Sequence, residues 1–224
     1  MSNHDLLISA LSADAAPVSR PAPAALRAIA WIPLCLVSAW IATATLRASA
    51  HRLGLNHLFG TISFATSLTA GVLLVAAAFE LSIAGRRSRL LPFAMLAVLA
   101  WAIACVVDLA TAGWPLGHLG DGVYCFKFVG YACAPMAAIL TLVLRRTYSV
   151  RPLHTMSLSA MGISFLAFAL LAFCHHGRLE LVDFSMHLAA ASLVIAIATI
   201  FGWRLVSIPR SSRSVLERRR AQIY

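Results

Sequence analysis

The sequence predicts an all-α fold: a polytopic membrane bundle of six transmembrane helices with both termini on the cytoplasmic side. Three observations carry this prediction. The 224-residue chain is 61% hydrophobic and 12% charged, whereas a soluble domain is about 45–50% apolar and about 25% charged. Its apolar residues gather into six blocks of about twenty, the length that crosses ~30 Å of hydrocarbon at ~1.5 Å per residue. Its 18 basic residues are distributed unevenly between the two ends of those blocks.

The chain divides into a leader, 1–25, a transmembrane domain, 26–205, and a basic tail, 206–224. The leader lacks a positive n-region running into an A-x-A cleavage site, so the first apolar block is expected to serve as an uncleaved anchor. Within the leader, His4 to Asp14 has the makings of a short helix. Leu7 and Leu11, four apart, share a face flanked by Leu6, Ile8 and the acids Asp5 and Asp14. A helix of this length is marginal alone in water and suits docking into a partner's groove. Composition by itself favours a disordered leader. The stretch Pro17 to Pro23 holds three prolines in seven residues and reads as an extended spacer.

The six blocks run over 26–46, 59–80, 90–110, 124–144, 154–174 and 185–205. The second carries Thr61, Ser63, Thr66, Ser67 and Thr69, a stripe expected to pack helix against helix. Fourteen basic residues, all arginine, fall in the leader, the second and fourth inter-block loops, the tail and, as Arg27 and Arg204, at the adjoining ends of the first and sixth blocks. Only Arg47, Arg52, Lys127 and Arg178 fall opposite. By the positive-inside rule the fourteen mark the cytoplasmic side. The net charge of +10 is thereby assigned to topology and to anionic lipid, which the tail is expected to touch, rather than to nucleic acid. Lys127 is expected to snorkel to the outer interface.

Six of the eight histidines and two of the five cysteines then fall at the outer side. Cys125 opens the fourth block and Cys174 closes the fifth, followed by His175 and His176. Thiolates with imidazoles bind soft metal ions, and an oxidising compartment allows two thiols to close a disulfide. Against this stands the ordinary use of membrane cysteines as small packing residues, the reading preferred for Cys35 and Cys133 near mid-membrane. No C-x-x-C pair is present to decide for Cys125 and Cys174. Asp108, beside Cys105 at the end of its block, is expected at a water-accessible surface.

Several of these features together resemble the NrsF-like family of six-span bacterial membrane anti-sigma factors. The leader from Leu7 to Val18 is similar to the family's leader. Cys125 followed by Pro135, the pair Arg145-Arg146 and then Arg151-Pro152 resemble the family's fourth span and the loop after it. Cys174 matches the cysteine that ends its fifth span, and Gly202-Trp203-Arg204-Leu205 resembles the element that ends its sixth. The chain departs from the pattern around Cys174, with Phe173 before it and His175-His176 after it.

The resemblance implies a protein of the bacterial inner membrane that is not an enzyme. Its leader, through Asp5, Leu6, Leu7, Leu11 and Asp14, would hold an extracytoplasmic-function sigma factor. Cys125 and Cys174 would receive a periplasmic oxidant or heavy-metal signal. No resident cofactor is implied, only transient metal binding by Cys125, Cys174, His175 and His176. Two other classes compete. A membrane thiol oxidoreductase normally needs closely spaced cysteines on an exposed loop. A transporter needs ionisable or broken-helix features near the midplane, for which Pro33, Pro135 and Gly162 are the candidates.

Overall fold

The computed structural model describes residues 3–13, 22–45, 58–83, 85, 87–145, 149, 151–172 and 179–206. Among the described residues the seven elements are all α-helices: α1 (Asn3–Ala13), α2 (Ala24–Thr45), α3 (Leu58–Leu81), α4 (Leu91–Thr111), α5 (Leu119–Arg145), α6 (Pro152–Leu171) and α7 (Leu181–Val206). Among the described residues, α3 to α7 are five helices long and apolar enough to cross a membrane. In hydrocarbon only such closed hydrogen-bonding elements are tolerated, because an unpaired backbone group there costs several kcal/mol.

Helix α6 is the hub of the bundle. Thirteen of its residues are buried, and it packs against α3, α5 and α7. Helix α4 lies against α3, α7 against α5 and α6, and α2 against α5 and α3. Small residues allow the closest approaches. A Cβ placed on Gly71 of α3 would lie 2.9 Å from the Gly162 carbonyl oxygen, and one on Gly162 would lie 3.0 Å from the Gly71 oxygen and 2.8 Å from Val75 Cγ2. The two backbones therefore meet through a pair of facing glycines. Gly162 is continuous helix, and so are Pro33 within α2 and Pro135 within α5. None of the three interrupts its element.

The outer faces of the bundle are apolar. Phe93, Leu96, Leu99, Ile103 and Val106 form an exposed stripe along α4, and Leu193, Ile197, Ile200 and Phe201 form another along α7. A soluble monomer rarely leaves contiguous patches of this kind in water; lipid covers them here. The chain is a multi-pass membrane protein.

Two corrections to the sequence reading concern length and polarity. Helix α5 begins at Leu119 and α7 at Leu181, several residues before the apolar blocks that mark them. Their first turns carry Asp121 and Asp183, which suit the positive N-terminal end of a helix but lower the hydropathy that defines a block. The hydroxylated stripe of α3 is only partly a packing face. Ser67 is buried, whereas Thr61 and Thr69 are exposed. Thr66 and Thr69 donate to the Ile62 and Ala65 carbonyls, both at 2.7 Å. Bonded back to its own helix, a threonine hydroxyl can face lipid without an unsatisfied donor.

The described arginines gather at one end. Arg27 Nη2 of α2 donates to the Phe79 carbonyl of α3 at 3.1 Å, with the guanidinium 5.1 Å from the Phe79 ring centroid. It thus neutralises a carbonyl in the last turn of α3, where the helix dipole is negative. Nearby, Glu80 accepts from Ser88 Oγ at 2.7 Å and from the Arg89 amide at 3.2 Å, bracing the turn into α4.

Gly162→Ala should lower thermal stability in detergent by an amount typical of overpacking, about 1–3 kcal/mol, because the new methyl group meets backbone on α3. Gly202→Ala should be far milder, since its Cβ would meet only the flexible end of Met156. Melting curves followed by helical circular dichroism check both.

Candidate functional site

The opposite end of the bundle holds the buried carboxyls Asp108 and Asp183 and the buried His187. Residues 101, 105 and 108 of α4 are spaced four and three apart, so Trp101, Cys105 and Asp108 share one face. They line a cavity of about 90 Å³ together with Phe59 and Ser63 of α3 and His187 of α7. Leu171 and Ala172 at the end of α6, with Leu179 and Phe184, complete most of the wall.

Asp108 is 5% exposed, which corrects the expectation of a water-accessible surface carboxyl. The reason is the crossing of α4 beneath the segment that enters α7. Asp108 Oδ2 accepts from the Leu179 amide at 3.3 Å. Oδ1 is buried with no hydrogen-bond partner among the described residues. The next amides along, Leu181 and Val182, donate to the carbonyls of Pro115 and Leu116 at 2.9 and 3.1 Å. The α4–α5 loop and Asp108 thus satisfy donors that the start of a helix leaves open. The loop turns through Gly113, Trp114 and Gly117, all at positive φ.

Cys105 Sγ lies 3.6 Å from Ser63 Oγ, joining α4 to α3. Below the cavity Trp101 stacks on Phe168 at 5.3 Å and meets Phe165 edge-on at 5.0 Å, while Phe168 meets the His187 ring at 5.5 Å. Each such ring pair adds roughly 0.5–1.5 kcal/mol beyond its burial. The cluster fixes the floor of the cavity across three helices.

Of the sequence-predicted site residues, Cys125 is buried on α5, its thiol directed at Asp183 Oδ1 of α7 at 4.0 Å. Cys174, His175 and His176 lie outside the described residues. So does Asp14. Asp5, Leu6 and Leu7 sit on α1 with Leu6 and Leu7 exposed, and Leu11 occupies the same helix. Among the described residues no group of three metal-ligating side chains converges. Cys35 and Cys133 are buried in the apolar core. Lys127 is exposed on α5. The sequence reading passed over Trp101, took Ser63 only as a packing residue and gave Asp183 no role. The spacings 101–105–108 on α4 and 183–187 on α7 were the available signal, since each places unlike polar or aromatic groups on one helical face.

No protein-family model, curated protein or solved structure matches the chain.

Asp108→Ala would strip the Leu179 amide of its acceptor, at a cost of about 1–3 kcal/mol for a buried group. Asp108→Asn, whose amide oxygen still accepts that bond, should lose less. Hydrogen exchange at the Leu179 amide, read beside the melting temperature, separates the two variants.

Proposed function

We propose that this protein is an anti-sigma factor of the bacterial inner membrane, of the NrsF-like kind that its sequence resembles. In this reading α2 is the first of six spans, both termini are cytoplasmic, and α1 sequesters an extracytoplasmic-function sigma factor. The observation that carries the reading is the state of α1. Leu6, Leu7 and Ile8 are 53%, 58% and 64% exposed on a helix of 11 residues. Isolated helices shorter than about 12–15 residues are marginal in water, so an apolar surface of this kind gains most by docking against a partner. Asp5 in the first turn favours the helix through the dipole.

The signal is received at the other end by Cys125 and Cys174. Cys125 is buried between α5 and α7, so oxidation or metal capture of its thiol disturbs the packing of both helices. Cys125, Cys174, His175 and His176 would hold such a metal transiently; there is no resident cofactor and no catalytic step. The basic tail touches lipid, and contact with nucleic acid is left to the sigma factor.

Affinity capture of the detergent-solubilised protein, with and without residues 1–18, tests the reading. A small sigma factor should be retained only by the intact chain. Capture of none, from cells shown to contain the sigma factor, would return the choice to a thiol oxidoreductase or a transporter. Leu7→Asp should weaken capture at least about tenfold, since burial of one leucine contributes roughly 1.5–3 kcal/mol. Cys125→Ser should leave membrane insertion and capture intact and abolish release by oxidant or soft metal.

A further inference from the structure

The Asp108 cavity is accounted for neither by the partner-binding leader nor by the thiol sensor. We propose that it is a binding site for a small organic cation, an alkylammonium group of a few heavy atoms.

Four features define the ligand. The first is charge. Asp108 is more than nine-tenths buried, and one of its two oxygens has no hydrogen-bond partner among the described residues while its side chain lines the cavity. A buried carboxylate is costly unless it is paired. Among the described residues no lysine or arginine lines the cavity.

The second is the wall. Phe59, Trp101, Phe168 and Phe184 line the same cavity as the carboxyl, and aromatic faces attract ammonium groups by cation–π interaction. The third is size. About 90 Å³ is far below the roughly 300–1,000 Å³ of a drug-sized site and below the ~150 Å³ cavity known to hold benzene. A methylated or short-chain ammonium is of the right bulk.

The fourth is what the site lacks. A zinc-like ion takes about four nitrogen, sulfur or oxygen ligands, and calcium takes six to eight oxygens. Among the described residues no three metal-ligating side chains converge. One carboxylate oxygen in a cavity lined otherwise by aromatic rings, the neutral polar atoms of Ser63 and Cys105 and the His187 ring suits an organic monocation. Ser63 and Cys105 offer neutral polar atoms at the wall, able to accept from ammonium protons. Because the wall is contributed by α3, α4, α6 and α7, an occupant would tie four helices together.

The test uses the full-length protein in detergent, with trimethylammonium chloride as probe and isopropanol, a branched neutral molecule of the same number of heavy atoms, as control. Trimethylammonium should raise the melting temperature with a saturable dose dependence, and isopropanol at equal concentration should not. Asp108→Asn, which keeps the shape and the bond from Leu179, should shift the midpoint of that dependence at least about tenfold. Trp101→Leu should weaken it while leaving the preference for the charged probe. Equal effects of the two probes on the native protein overturn the proposal, and that comparison stands even where a variant does not fold. An Asp108→Asn response matching wild type overturns it as well. So does a stabilisation produced by zinc chloride and not by trimethylammonium.

Discussion

The facing glycines of α3 and α6 are the contact on which the rest of the bundle depends. Lipid is as apolar as leucine, so helices in a membrane gain nothing from burying hydrocarbon as such; they associate through close packing and polar contacts. With Gly162 against the backbone of Gly71 and Val75, α6 comes near enough to α3 for thirteen of its residues to be buried. Helices α5 and α7 then close on the other sides of α6. Replacing hydrogen by methyl at that one point would propagate to every interface that α6 makes.

The two ends of the bundle are held in different ways. At the arginine-rich end, charged side chains answer polar groups at helix ends: Arg27 donates to the Phe79 carbonyl, and Glu80 accepts from the Ser88 hydroxyl and the Arg89 amide. Ser149 Oγ and Thr155 Oγ1, 2.9 Å apart and both buried, secure the start of α6. At the other end the work falls to backbone carbonyls of the α4–α5 loop and to a single carboxyl, with aromatic rings as the support. Cys125 and Asp183 repeat the pattern between α5 and α7. An end built from a few buried polar groups and stacked rings is a place where a small chemical change has large structural leverage.

Much of the architecture was legible in the amino-acid order. Hydropathy finds the apolar core of each long helix, since the solvent it reports on is the one that surrounds the chain. It misjudges where α5 and α7 begin, because an acidic first turn is good helix chemistry and poor hydropathy. It also misjudges Asp108. Linear position says only that the residue ends its apolar block; whether water reaches it depends on the residues near 179 that cross above it, seventy positions away in sequence. The stripe of α3 shows the same limit from the other side: threonine hydroxyls are polar in composition but satisfied within their own helix, so polarity did not predict facing. The spacing of Leu7 and Leu11 allowed a short leader helix, which composition alone did not favour, and α1 spans Asn3–Ala13.

Helix α6 has 20 residues, while α5 has 27 and α7 has 26. At ~1.5 Å per residue the hub is roughly 10 Å shorter than the two helices beside it. The cavity lies where α6 stops, with Leu171 and Ala172 in its wall, so the length of α6 sets where that wall ends.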